Sequence, residues 1–459
     1  MSRFALIGLD GVPPKFLFDL WADDLPNLRS VMKEGIHGVL QSTIPLGMFP
    51  GWTSMMTSQD PGQLGIYGPR SRRARDYAEP GPATSEQVRA KAVWNYLSNN
   101  RLNSLVLGVP QTYPPKPMKG VLVAGPNTPG KDAHWTHPRE VAREVDESAG
   151  GEYAFDIPDF RALEEDWLFD QIEETTRRRF AAFRHFVRKK EFDFMMLVET
   201  GPDRIHRSYW RYFDPEHRLH EAENKHADSM RKYYAFLDEE VGLLLDDLPS
   251  DTSVMVVSEH GAQRADGAIC INEWLINEKL LVLKEKPEEP AALAPERIDW
   301  GKTRAWAEGG HIARIFLNVK GREPKGAVPE ADHESFREEL KGRIASIPDD
   351  KGEALHTEVV KPEEIYRAVN GIAPDLLAFF GDLRWRASEL VGTGSVHATD
   401  KDSGLDDANH DRNGIVIWDH PAKVGPKVKD PYSIFDIAPT ILRFFNLEIP
   451  AHWIGEPLF

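Results

Sequence analysis

The residues best placed for chemistry are Ser258-Glu259-His260-Gly261, which directly follow the apolar, β-branched stretch from Thr252 to Val257. Such a stretch reads as a buried strand of a parallel sheet, and open α/β sheets bind ligands at the carboxyl ends of their strands. An acid beside an imidazole there offers one oxygen and one nitrogen to a cation. Alone, the pair reads as an ordinary surface turn. Three more strand ends carry similar groups and shift the balance towards a cation site. Asp10 closes the opening strand, Asp203 follows the apolar run from Phe192 to Val198, and His410 ends Asp406-Asp407-Ala408-Asn409-His410.

The elements that must position these groups follow from the pattern. Gly11, after Asp10, can take the positive φ of a tight turn. Prolines and glycines make Ser42 to Gly51 an irregular loop, and Trp52 to Thr57 can start a helix. Trp167, Ile172, Phe180, Phe183 and Val187 fall at helical spacing across residues 164–190, which lack Pro and Gly. Tyr233, Leu237, Val241 and Leu244 form another apolar helix face. Strands are expected at 104–109, 120–124, 375–380 and 415–418, and a final helix at 432–445. Gly309-Gly310 lies between two further strands, Thr303 to Trp306 and Ile312 to Asn318. Strands alternating with helices imply a helix-covered, mostly parallel sheet. The Pro-, Glu- and Lys-rich connection at 284–300 opens a block, 285–370, expected to be an inserted subdomain between core segments 1–284 and 371–459.

Composition narrows the function classes. The chain has 459 residues, 41% of them hydrophobic, and a net charge of -17, which disfavours a nucleic-acid scaffold. Arg70, Arg72, Arg73 and Arg75 form the densest basic cluster of the first hundred residues; it reads as a solvated loop or as a steering patch for an anion. Cys270 is the one cysteine, so metal ligands must come from His, Asp and Glu. No apolar run reaches the roughly 20 residues of a membrane span, and no leader pattern precedes the first strand. The expectation is a soluble, cytoplasmic protein of undetermined oligomeric state.

Seven stretches in order resemble the alkaline phosphatase superfamily, in its type I phosphodiesterase/nucleotide pyrophosphatase-like branch. They are Ile7 to Gly11, Pro50 to Ser58, Gly201 to His206, Ser258 to Ala262, Asn272 to Leu275, Asp406 to His410 and Asp436 to Thr440. The resemblance implies a doubly wound α/β fold and two metal ions, usually zinc, at the strand ends. It also implies a Thr or Ser nucleophile that attacks phosphorus once a metal has lowered its pKa. Carried over residue by residue, it makes Asp10, Glu259 and His260 one metal site, and Asp203 with His410 part of the other.

The chain departs from that pattern at its centre. Met48 stands where the family has its nucleophile, and a thioether has no proton to lose. Arg207 stands four residues after Asp203, where the family has a metal-binding His, and a guanidinium offers no lone pair. His206, which precedes it, is a further candidate catalytic residue, although one helical step turns a side chain by about 100 degrees. Glu259 replaces the family's Asp. The second site is therefore expected to hold Arg207 in place of a cation, paired with Asp203 and binding an anion through its fork, with Asn409 as a further substrate contact. Ser42, Thr43, Thr53 and Ser54 are the alternative hydroxyls nearby. At most one tightly bound divalent ion, zinc or manganese, is expected. The leading expectation is an enzyme acting on a small phosphate, phosphodiester or similar anion without a covalent threonine intermediate. A pseudoenzyme that binds an anion or a protein, and a conventional two-metal phosphodiesterase, are the alternatives.

Overall fold

The computed structural model describes residues 3–33, 35–158, 160–162, 164–399, 406–419 and 431–459. Strand Arg3–Leu9 lies inside a nine-stranded sheet, paired in parallel with Phe194–Glu199 on one side and Thr252–Val257 on the other. Beyond Phe194–Glu199 come Ser104–Leu107 and Gly120–Val123, also parallel, and the short Thr136–His137. Beyond Thr252–Val257 come Asn413–Asp419, Ile36–Gln41 and Tyr432–Ser433. Asn413–Asp419 runs antiparallel inside this otherwise parallel region, a reversal that an apolar run cannot announce.

Side chains alternate across a strand, so Arg3–Leu9 feeds two cores. Ala5, Ile7 and Leu9 enter one cluster with Phe180, Phe183 and Tyr233 from helices Glu165–Lys189 and Ser229–Asp247. Phe4 and Leu6 enter the other, with Trp52, Val93 and Ile437 from helices Met48–Thr57, Val93–Asn99 and Ile437–Phe444. The sheet is thus helix-covered on both faces, as expected for a doubly wound fold. Each fully buried side chain of this size contributes about 1.5–3 kcal/mol relative to exposure.

A four-stranded sheet stands apart, built from Ala305–Glu308, Ala313–Leu317, Leu376–Phe379 and Glu358–Val360. Helix His333–Ala345 covers it and shares its apolar cluster through Phe336, Leu340 and Ile344. Three of its strands come from block 285–370. The fourth, Leu376–Phe379, lies beyond that block and pairs with Ala313–Leu317 rather than with the large sheet. Its continuous apolar run suits burial in either sheet, and only pairing distinguishes them.

Candidate active site

Each candidate ligand sits where a regular element ends or bends. After strand Arg3–Leu9 the chain turns through Gly11 at φ 80°, where its backbone passes His260 and Asp203. Ser258 fixes the next loop: Val12 N–H donates to its Oγ at 2.9 Å, and that hydroxyl donates to the carbonyl of His260 at 2.6 Å. Asp203 lies in the first turn of helix Gly201–Phe213, where the helix dipole favours an anion. His410 stands on Ala408–Asp411, which pairs antiparallel with Gly261–Arg264 as a separate two-stranded ribbon.

The structure brings Asp10, Asp203, Glu259, His260 and His410 together. His260 Nε2 stands 3.4 Å from Asp10 Oδ1 and 3.3 Å from Glu259 Oε1. Asp203 Oδ1 is 3.2 Å from His410 Nε2, and the His260 and His410 rings stack at 3.6 Å between centroids. Asp10, Glu259 and His260 form one group whose ligand atoms lie within 4.8 Å of one another; Asp203, His260 and His410 form a second.

The first group fits a divalent cation. Asp10 Oδ1, both Glu259 oxygens and His260 Nε2 are buried and find no hydrogen-bond partner among the described residues. The other oxygen of Asp10 accepts from Trp52 Nε1 at 3.2 Å. His260 Nδ1 faces the Gly261 carbonyl at 2.8 Å, which places the proton there and leaves Nε2 as a lone pair. Burial, then the charge of Asp203, raises the Asp10 carboxyl to about 7. Burial and Asp10 together push Glu259 well above the usual carboxylate range, and burial lowers His260 to about 4. Two crowded carboxylates beside a neutral imidazole are a donor set short of positive charge.

Gly51, on helix Met48–Thr57, leaves room for the longer side chain of Glu259; a Cβ there would lie 2.7 Å from Glu259 Cγ. In an unconstrained helix Gly→Ala is stabilising by about 0.8–1 kcal/mol. Here Gly51→Ala should displace the carboxylate instead and weaken zinc binding by about tenfold or more, as changes in the residues around metal ligands do. Titration calorimetry on the folded variant checks this; unchanged affinity would remove Glu259 from the ligand set.

The second group already contains a cation of the protein's own. The guanidinium of Arg207 has Nε 2.8 Å from Asp203 Oδ2 and Nη1 3.2 Å from Asp406 Oδ2. Its Nη2 lies 3.1 Å from His410 Nε2 and 3.2 Å from His311 Nε2. Burial would raise Asp203, yet Arg207, with His410 and Arg204, holds it well below the usual range. Burial keeps His410 and His311 neutral, with repulsion from neighbouring imidazoles and from Arg207 adding to it. His311 was not legible in the sequence. It follows Gly309-Gly310 in the hairpin of the small sheet and stacks on His410 at 3.4 Å. The glycine pair was the available signal, but it marked only a turn.

Arg207, Met48, His311 and His410 line a cavity of about 370 Å³, with Arg161, Arg204, Arg314 and Arg386 among its other walls. Among the described residues no Ser or Thr lines it. Met48 is the first residue of its helix and is buried. Thr53 faces elsewhere, donating to Gln111 Oε1 at 2.9 Å. The helix starts at Met48, four residues before the expected Trp52, because Pro50 is compatible with a first helical turn.

Two expected site residues lie outside the lining of the cavity. His206 lies in an aromatic core against Phe16, Trp210 and Tyr234, with Nε2 2.9 Å from the Tyr234 hydroxyl. It faces away from the cavity because it is one helical step from Arg207. Asn409 does not line the cavity either. Its Nδ2 donates to the carbonyls of Leu383 at 2.7 Å and His311 at 3.1 Å, and its Oδ1 accepts from His311 Nδ1 at 2.7 Å. Asn409 therefore sets the tautomer of His311, leaving Nε2 to accept from Arg207. The expected open fork of Arg207 is also largely occupied by protein partners.

Comparison with known proteins agrees with this architecture. No curated protein sequence matches the chain. Human ectonucleotide pyrophosphatase/phosphodiesterase 5 superposes with TM-score 0.57 at 14% identity, over 99% of this chain and 97% of that one. An inactive variant of the murine protein in complex with AMP gives 0.58 at 14% identity, over 99% and 98%. Phosphonoacetate hydrolase from Sinorhizobium meliloti 1021, in complex with phosphonoacetate, gives 0.61 at 15% identity, over 95% and 94%. Identities this low establish the shared fold. Membership rests on the family model for type I phosphodiesterase/nucleotide pyrophosphatase, which matches residues 4–406, so the chain belongs to that family, within the alkaline phosphatase superfamily.

Proposed function

We propose that the protein acts on a small phosphate ester, phosphodiester or phosphonate-type anion. One divalent cation, zinc or manganese, would sit at Asp10, Glu259 and His260, and Arg207 would replace a second. The observation that carries this reading is the guanidinium held by Asp203, Asp406, His311 and His410 in a cavity lined by Met48 and, among the described residues, by no Ser or Thr. The two candidate metal groups share His260, so an ion in one deprives the other of a ligand. That favours one ion over two.

A divalent ion in the first group supplies Lewis acidity toward phosphoryl oxygens. Arg207, which lines the cavity, would supply fixed positive charge where charge develops during phosphoryl transfer. Neutral His311 accepts from its Nη2, and neutral His410 lies 3.1 Å from the same nitrogen without adding repulsion. Met48 offers no proton and no nucleophilic oxygen, so the attacking group comes from solvent and no phosphorylated residue forms. The ligands AMP and phosphonoacetate, bound by the structural relatives, are anions of this size. Among the described residues no helix is long and apolar enough to cross a membrane.

Elemental analysis of purified protein should find no more than one equivalent of zinc or manganese. Aryl phosphodiester and phosphomonoester assays with added metal should then show turnover without a phosphorylated intermediate. Two equivalents with a trapped phospho-enzyme would restore the conventional two-metal mechanism. Anion binding without turnover of any ester would make the chain a pseudoenzyme.

A further inference from the structure

Asp406 is the hub of an unbalanced charge cluster. Its Oδ2 receives Arg161 Nη2 at 2.8 Å and Arg207 Nη1 at 3.2 Å, and Arg386 Nη1 contacts the same oxygen. One carboxylate thus serves three guanidiniums. The cluster forms a wall between the cavity described above and a second one of about 390 Å³, and both are lined by Arg161, Arg314, Arg386, Gly309 and Gly310. At Gly310, which lines both, a Cβ would meet nothing within 4 Å, so no side chain fills the space beside it. Among the described residues, the other acids lining the second cavity already have partners. Glu308 pairs with Arg314 at 3.3 Å and Glu389 with Arg70 at 3.7 Å. The positive surplus therefore falls at Arg161 and Arg386. Arg386 is buried, whereas the side chain of Arg161 is 49% exposed at the mouth. Phosphate and carboxylate groups match the planar fork of arginine, and a surplus of buried guanidinium is costly until an oxyanion reaches it.

We propose that the site takes a substrate with two acid groups. The phosphoryl or phosphonyl group lies between Met48, Arg207 and His410, and a second oxyanion lies beyond it against Arg161 and Arg386. This rests on the phosphoryl reading of the first cavity and adds the chemical class of the substrate's other end. It also gives Asp406 a role: it neutralises part of the cluster so that three guanidiniums can share one wall before the anion arrives.

Calorimetric titration of the protein as purified, without added metal, tests it with three probes: methylphosphonate, phosphonoacetate and methylenediphosphonate. Both two-acid probes should bind about tenfold or more tighter than methylphosphonate, the size of one charge-assisted contact. Arg161→Gln, at the half-exposed position, should bring that ratio close to one. Preference for only one two-acid probe would identify the second group as carboxylate or phosphonate. A resident metal chelated by the diphosphonate would give a ratio that Arg161→Gln leaves unchanged, and that result overturns the proposal, as do equal affinities in the native protein. Arg386→Gln gives a second reading wherever its circular dichroism spectrum is native. The two proposals fail separately: a two-acid preference without ester turnover sinks the enzymatic reading alone, and turnover without the preference sinks this one alone.

Discussion

Met48→Thr combined with Arg207→His should add a metal-dependent hydrolysis of aryl phosphodiesters through a phosphorylated threonine, a route that neither single change opens. Met48 opens its helix beside Arg207 and His410, so a threonine there would bring a hydroxyl into a cavity whose described lining has no Ser or Thr. A hydroxyl alone remains a poor nucleophile, because Arg207 cannot coordinate it or lower its pKa as a metal does. Histidine alone opens a second metal position with Asp203 and His410 but provides nothing to attack phosphorus. Asp406 keeps Arg161 and Arg386 when Arg207 is removed, so the double variant retains its buried ion pairs there. Groups that act as one catalytic unit are strongly non-additive. The double variant should exceed the product of the single effects by on the order of 100-fold, and a phosphorylated form of the introduced threonine should be trappable. Additive or absent gains would show that the two positions do not form one nucleophile-metal unit.

Removing the Asp10 charge should have opposite effects on metal binding and on the metal-free fold. Asp10→Asn deletes a ligand oxygen, so the rise in melting temperature produced by zinc should vanish. For a site held at 100 times its dissociation constant, that rise reflects about 2.7 kcal/mol. The metal-free variant should nevertheless be more stable than the metal-free native protein at pH 8. The Asp10 carboxyl is raised from 3.8 to about 7 in the fold, so the folded state binds its proton more tightly than the unfolded state does. Its stabilising contribution is complete below 3.8 and is lost as pH rises through about 7. At pH 8 the native chain carries that loss in full. Asparagine does not, and its amide can still accept from Trp52 while donating towards Glu259. The gain should be on the order of 2 kcal/mol at pH 8 and should shrink towards pH 4. Chemical denaturation in chelator across that range measures it. A variant less stable than the native chain at pH 8 would mean that Asp10 is held by contacts other than a missing cation.

The sequence by itself determined the order of the core strands' carboxyl-end residues and hence the family. Apolar runs ending in Asp10, Asp203 and Glu259-His260 are local signals, and strand or helix period follows from residues a few positions apart. The chemistry open to Met48 and Arg207 was equally legible, because the absence of a removable proton or a lone pair belongs to the side chain itself. Tertiary structure decided what those side chains face. It placed Arg207 among Asp203, Asp406, His311 and His410, whose positions in the chain lie up to about 200 residues apart. It brought His311 in from the small sheet, turned His206 into an aromatic core and gave Asn409 to His311. It reversed Asn413–Asp419 within the sheet and paired Leu376–Phe379 with Ala313–Leu317. These outcomes depend on which distant surfaces meet, and contacts of high sequence separation leave no period in the chain from which they could be read.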